Sequence, residues 1–315
     1  MAAMPAEPGE RLPGERVILG GATVVLSMLP IGLLVAPAPL AVLVLRHGLA
    51  SGIVAAVLSG LVASILTQSP LILAQVLLAL ALGIALGEAL KEGFSLRQAL
   101  AVGSVVVFIT TLLLMFLIQR VVGMSPIDIV ATFWQEALRN AAGSDTAAQA
   151  FVDAQIAAMR AVLPASLILG SVGLTVVDYG LTRWLARKLP GEKDAVAPLP
   201  EFSRWRFPRW TAVVYLAGRV AEVLFLARLT GSVQMALINV VLILGFLMTI
   251  QGLAVGWYYL QRAKVSKALR WLIVLGVLFF LQPVASLLFL VAGVIDALLD
   301  LRRARRSDAE VQGGS

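Results

Sequence analysis

The chain has no cysteine and a single histidine, His47, in 315 residues. The first absence removes disulfides, thiolate nucleophiles and iron–sulfur ligation. The second removes any multi-histidine metal site and leaves a serine triad no base but His47. Charge is also scarce. Asp, Glu, Lys and Arg together make 14% of the chain, against about 25% in a soluble domain. No glycine-rich phosphate loop ending in Gly-Lys-Ser/Thr occurs, and no His-Glu-x-x-His. The sequence thus carries no recognised catalytic motif, metal-site spacing or cofactor signature, and the expectation is a protein that is not an enzyme, an intramembrane enzyme being the third reading.

What fills the chain is apolar. Hydrophobic residues make 60%, against about 45–50% in a soluble domain. An apolar stretch of about 20 residues spans the hydrocarbon core as a helix, and several such stretches follow one another. The expected fold is all-α, a polytopic transmembrane helical bundle. The net charge of +7 sits beside apolar runs, so anionic lipid headgroups are the expected partner rather than nucleic acid.

Two basic breaks organise the runs. The first holds Arg183, Arg187, Lys188, Lys193, Arg204, Arg206 and Arg209; the second holds Arg262, Lys264, Lys267 and Arg270. Lysine and arginine gather on the cytoplasmic side, so the breaks imply an orientation as well as a class. Residues 1–16, with three prolines, read as a disordered cytoplasmic tail. Val17–Ala36 reads as a retained first span, too long for a signal-peptide core, kinked at Pro30. Pro37 and Pro39 then break the chain before a short piece, Leu40–Leu45. Leu49–Thr67, Leu71–Leu90 and Ala99–Gln119 follow as spans.

The stretch 120–163 differs, with four acids balancing three arginines. Ser125-Pro126 with Asp128 reads as a helix start. Ile127, Val130, Phe133, Trp134 and Leu138 recur at helical spacing, and Gly143 closes the element. This is expected to be an amphipathic helical insertion outside the cytoplasm. Pro164–Ala186 completes an N-terminal six-segment core over 17–187. A basic cytoplasmic interfacial loop, 188–209, leads to C-terminal membrane helices over 210–300 and a disordered tail, 301–315. The C-terminal spans are Trp210–Ala227, Gln234–Leu260 and Leu269–Leu299. The last holds Pro283 and reads as one long tilted helix or a broken, re-entrant one. The total comes to about 8–9 membrane segments in a bacterial cytoplasmic membrane.

Some polar and small residues within the runs are candidates for function. Arg219 and Glu222 lie three apart in a span, share a face and can pair. Buried charge in a membrane marks a site by default, so Arg219 and Glu222, with Asn239 and Gln251 on the next span, form a candidate substrate-binding set. For Asn239 and Gln251 the alternative is bonding between neighbouring helices. Asp178 is expected to bridge locally to Arg183. Gly48, Gly52, Ala56, Gly60 and Ser64 repeat every four residues and make a smooth stripe, suited to helix packing or to docking a membrane partner subunit. In the basic loop, Phe202, Trp205, Phe207 and Trp210 alternate with Arg204, Arg206 and Arg209. That pattern fits rings at headgroup depth and guanidinium groups on phosphates.

Pro39-Leu40, Leu45-Arg46-His47-Gly48, the run Leu199–Pro208, Gln251-Gly252-Leu253-Ala254-Val255 before Tyr258, and Gly293, Asp296, Asp300, Leu301 and Arg302 occur together. The chain thereby resembles the YybS-like family of bacterial membrane proteins, a family of unknown function. The kinked first span, short second piece and small-residue-rich third span of 17–187 are also similar to the substrate-binding subunits of energy-coupling-factor vitamin transporters, a likeness of topology. That likeness implies a small-solute-binding or transport subunit, with a small-molecule ligand held between the first spans. The alternative is a membrane scaffold or assembly factor acting through its basic cytoplasmic face.

Overall fold

The computed structural model describes residues 14–29, 32–142, 146–190, 195–225, 228–263, 265–280 and 282–302. The kink at Pro30, the stop at Gly143, residues 1–13 of the first tail and residues 303–315 of the last lie outside them. Every regular element among the described residues is helical. The chain divides into two compact units, one of residues 1–160 and 166–199, the other of 161–165 and 200–315.

The first unit begins with α1 (Glu15–Ser27), a short 3₁₀ turn at Gly32–Leu34 and α2 (Pro37–His47). The first span is therefore shorter than expected. At 13 residues, α1 rises only about 20 Å, less than the hydrocarbon thickness. Pro37 and Pro39 do not break the chain; they start α2. Proline suits a first turn because the N–H it lacks has no partner there. Helices α3 (Leu49–Thr67), α4 (Pro70–Lys91) and α5 (Leu96–Val122) follow. A capping box opens α5, with Ser95 and Gln98 exchanging bonds. Then comes α6 (Pro126–Ala142), opened by Ser125 Oγ, which accepts the Asp128 backbone N–H at 3.2 Å.

The end of the expected insertion and the expected span after it, Pro164–Ala186, are one element, α7 (Thr146–Ala186), 41 residues long with Pro164 inside it. Its residues 161–165 belong with the second unit. The core of the first unit is centred on α2, whose residues from Leu40 to Val44 are almost wholly buried, against Leu80, Leu82 and Leu86 of α4. A helix so short and so enclosed belongs to the interior of a bundle rather than to its lipid face.

The second unit holds a 3₁₀ turn at Phe202–Arg204, then α8 (Arg209–Phe225), α9 (Gly231–Arg262), α10 (Lys267–Phe280) and α11 (Gln282–Leu299). Helix α10 ends at Phe280 and α11 begins at Gln282, next to Pro283; residue 281 between them lies outside the described residues. Among the described residues, helices α9 and α11 share the most extensive packing. They cross at Gly252 and Gly293. A side chain at Gly252 would meet the Phe289 carbonyl, and one at Gly293 the Met248 carbonyl. Only glycine permits that backbone approach.

Among the described residues five helical stretches are long and apolar enough to cross a membrane: Leu49–Thr67, Leu71–Lys91, Leu96–Val122, Gln149–Ala186 and Gly231–Arg262. Their large apolar side chains point outward in number. On α3, Val54, Leu58, Leu61 and Ile65 are all exposed. Hydroxyls on the helices bond inward instead: Thr23, Ser59, Ser104, Ser171, Thr175 and Thr249 each donate to the carbonyl four residues back. Chains without water to bond with satisfy their polar groups in this way.

Candidate functional site

The most elaborate polar arrangement lies at the basic loop of the second unit. Asp296 on α11 is fully buried. Its carboxylate accepts from Gln251 Nε2 at 2.7 Å, from Arg302 Nη2 at 2.7 Å and from Arg302 Nε at 3.2 Å. Arg302 goes on to donate to the Ser203 carbonyl at 2.6 Å and the Trp205 carbonyl at 2.9 Å. Gln251 accepts the Phe207 N–H at 2.9 Å. Together, Asp296, Arg302 and Gln251 latch the backbone of residues 203–207 onto α9 and α11. Just past α11, Asp300 takes Arg206 at 2.5 Å. The rings of Phe202, Trp205, Trp257 and Trp271 stack edge-on beside the latch, with the Arg270 guanidinium 5.2 Å over Trp257. Trp210 is exposed, and Arg204 is paired only with Glu201 at the surface.

Among the four residues first considered for substrate, Gln251 thus holds the loop. Asn239 has a different task. Proline at 164 lacks an N–H and disturbs the turn before it. The Asn239 amide donates to the Ala161 carbonyl at 2.7 Å and accepts the Ala165 N–H at 2.7 Å. These two backbone groups would bond each other in an unbroken helix. Asn239 stands between them, and its remaining N–H goes to the Met235 carbonyl at 2.7 Å. Both N–H donors and the oxygen of that side chain are engaged. Arg219 and Glu222 do pair on α8. Arg219 is 55% exposed, however, so the pair lies on an outer face, not in a cavity. Asn239 and Gln251 are not brought to it.

The glycine stripe of α3 packs inside the first unit. A side chain at Gly52 would strike Val44 of α2, and one at Gly60 would strike Leu73 of α4. Ala56 is buried between them, Gly48 turns the chain at φ 85°, and the Ser64 hydroxyl donates to the Ser69 carbonyl at 3.0 Å. Nearby, Arg46 is buried against Glu15 at 2.7 Å and donates to the Pro190 carbonyl at 3.0 Å. Arg46 therefore lies against the start of the 188–209 loop within this unit.

A second polar feature escaped the reading by local pairs. Ser171, Thr175, Asp178 and Thr182 are all buried on α7. At 100° per residue they fall within an arc of about 60°, a ladder along one face. The methyl of Thr175 lies over Gly103 of α5, beside Leu82 and Leu86 of α4; a side chain at 103 would collide with it. Ser171 and Thr175 bond their own helix. Asp178 does not: neither carboxylate oxygen has a hydrogen bond, and the Thr182 hydroxyl has none either. The expected bridge from Asp178 to Arg183 does not form. Five residues apart, the two point roughly 140° away from each other around the helix. Arg183 donates instead to the Val196 carbonyl, and Tyr179 to the Ala197 carbonyl at 2.9 Å. Among the described residues, Asp178 is the one buried carboxyl with neither hydrogen bond nor cation. The spacing of four, three and four in the sequence was the signal that could have found the ladder.

The alignment of polar faces, apolar exteriors and basic ends describes an integral membrane protein, and comparison agrees. A model of predicted membrane proteins, DUF2232, matches residues 16–297. The chain belongs to the DUF2232 family. The matched stretch includes Asp178, Gln251 and Asp296, and stops short of Arg302. No curated protein and no solved structure matches the chain, so the likeness to vitamin-transporter subunits has no counterpart among them. In this DUF2232 protein no group of three or more metal-ligating side chains occurs among the described residues.

Outside the spans, the Ser125 hydroxyl at 2.6 Å and the Arg160 guanidinium at 2.6 Å hold the Asp128 carboxyl below its ordinary range. This contact ties the start of α6 to α7. Phe133 and Trp134 stand exposed on α6.

Proposed function

We propose that this protein is a solute-handling membrane subunit of the transport class, with its site in the first unit on the buried face of α7. The observation that carries the reading is Asp178. A carboxyl removed from water and given no partner destabilises a fold. A structural role would supply one, as Asp296 is supplied. An acid left open inside a bundle is what binding something else requires. Ser171, Thr175 and Thr182 on the same face add hydroxyls for a polar ligand. The finer form of the reading is a substrate-capture component similar to those of vitamin transporters, with α6 and the first half of α7 above the site outside the cytoplasm. About 8–9 membrane segments and a cytoplasmic 188–209 loop belong to this form.

The test is mass spectrometry of the protein under native conditions in mild detergent. A bound small molecule is expected, and it should be lost in Asp178→Asn. Absence of any ligand, with no solute from a metabolite panel raising the melting temperature, would remove the reading. Sidedness is tested separately, since the chain has no cysteine. A cysteine at Ser144 should react with an impermeant reagent in intact cells, and one at the exposed position of Arg204 should not.

A second reading, a scaffold acting through its basic face, is favoured by the latch. Three buried side chains hold residues 203–207 in one conformation, with Arg204 and Trp210 turned outward. If Arg204, Arg206 and Arg209 changed to Gln abolish cellular function while Asp178→Asn does not, the scaffold reading replaces the first.

A further inference from the structure

We infer that Asp178 holds an exchangeable proton, and that this proton is what couples the first unit to a membrane gradient. The inference takes the solute-handling reading as its setting and names the ion that would drive it. Three observations carry it. The carboxyl is fully buried. Both its oxygens lack hydrogen bonds, and among the described residues no ion pair reaches it. It sits in the apolar stretch Gln149–Ala186, one of the five able to cross a membrane.

The occupant must suit the donors present. A sodium ion takes about as many oxygens as calcium or magnesium does, roughly six. The face offers three partnerless oxygens, two from Asp178 and one from Thr182. Ser171 and Thr175 bond α7 carbonyls yet keep oxygen lone pairs, but from Ser171 to Thr182 the face runs about 16 Å along the helix, too far for its oxygens to share one ion. A proton needs a single oxygen. Binding it forms one O–H bond and cancels the charge that burial penalises; release breaks that bond and passes the proton to water. No other bond changes. Thr182 lies one turn on, toward the basic end of α7. Its free hydroxyl can accept a proton and donate its own.

The charged and titratable groups around the site do not substitute for the proton. On α7 itself, Tyr179 donates to Ala197 and Arg183 to Val196, both in the returning loop. From α4 and α5 the face meets Leu82, Leu86 and Gly103. Glu88 on α4 is tied to Lys91 at 3.3 Å. Nothing charged from these helices bonds to Asp178.

Dicyclohexylcarbodiimide tests the idea, because this apolar reagent adds to protonated carboxyls in apolar surroundings. The full chain, in detergent and in liposomes, is treated and its peptides mapped by mass spectrometry. Label is expected at Asp178 and absent at Asp296, whose carboxylate is held by Arg302. Asp178 unlabelled, or labelled no more than Asp296, overturns the proposal. Asp178→Asn is the second arm. An amide resembles a neutral acid in size and charge, so with any bound solute first removed from both proteins its melting temperature should match the parent. A marked rise would mean an ionised carboxylate had been removed, and a marked fall would mean a structural bond had been lost; either overturns the proposal. The label and the native ligand measurement fail separately. Labelled Asp178 without any bound solute keeps the proton site and ends the solute reading. Bound solute without label does the reverse.

Discussion

In the second unit the buried Asp296 carboxylate receives three hydrogen bonds, and every partner is itself anchored. In the first unit the equally buried Asp178 receives none. Both acids lie on apolar helices, and neither is near enough to the surface for water to solvate it. The difference lies in what surrounds them. Asp296 closes a circuit of Gln251, Arg302 and three backbone groups of the loop, so its charge is matched where it sits. Asp178 lies on a face where Ser171 and Thr175 serve their own helix and the Thr182 hydroxyl bonds nothing. The contrast teaches a way to sort buried polar residues. A satisfied network records construction, while an unsatisfied group in a well-packed interior records an interaction still to be made.

The largest expected effect breaks the satisfied side of the contrast. Arg302→Ala leaves Asp296 charged and alone, and should destabilise by about 3–5 kcal/mol. Thermal unfolding in detergent reads it, and the loop around residues 203–207 should become open to protease. Replacing Asp296 with Leu and Arg302 with Met together should recover most of the loss. If the double change is as damaging as the single one, the latch depends on more than charge pairing.

Next comes Gly293→Ala. The added methyl runs into the Met248 carbonyl across the α9–α11 crossing, and overpacking of this kind costs about 1–3 kcal/mol. A melting temperature equal to the parent's would show that the two helices part easily. Asn239→Leu should cost somewhat less, about 1–2 kcal/mol, the range for polar contacts between membrane helices. Its signature is local. Amide exchange should rise at Ala165, whose N–H loses its acceptor.

Changing both Arg219 and Glu222 to Ala sharpens the comparison from the other direction. Arg219 is exposed, so stability should move by less than about 1 kcal/mol. If the double variant folds normally yet loses a bound ligand that Asp178→Asn retains, the binding site belongs to α8 after all. The smallest effect concerns acid. Asp128 has a lowered folded-state value, so the tie it makes is present above the ordinary carboxylate value of about 3.9. It is lost as pH falls through the lower folded value. Protease sensitivity of α6 should rise only in that acidic window. Asp128→Asn should show the same sensitivity at neutral pH.

Much of the fold was legible in advance because transfer into lipid is nearly a property of each residue alone. Leu49–Thr67 was bounded correctly from hydropathy and the Gln68-Ser69-Pro70 stop. The start of α6 followed from Ser125-Pro126. Errors arose where neighbours decide. Pro37 and Pro39 looked like breakers, yet each proline fits a first turn once the chain before it has turned. Pro164 looked like the start of a span, yet the helix runs through it because Asn239, distant in sequence, takes up the backbone groups it frees. Asp178 and Arg183 looked paired by proximity, and helix geometry turns them apart.

The site was less legible. Asp296 and Arg302 were visible as a motif, but nothing local says that their partners are the carbonyls of Ser203 and Trp205, about a hundred positions away. The ladder on α7 was written in its spacing, while its lack of partners was not. By itself the sequence determined the class of protein, the apolar stretches, the helical faces and the basic ends, because hydropathy and helical periodicity act over a few residues. Only the tertiary structure decided which buried polar groups find partners and which do not. That outcome depends on which faces meet, and a polar group's energy in an apolar interior is set by what lies within hydrogen-bond reach of it.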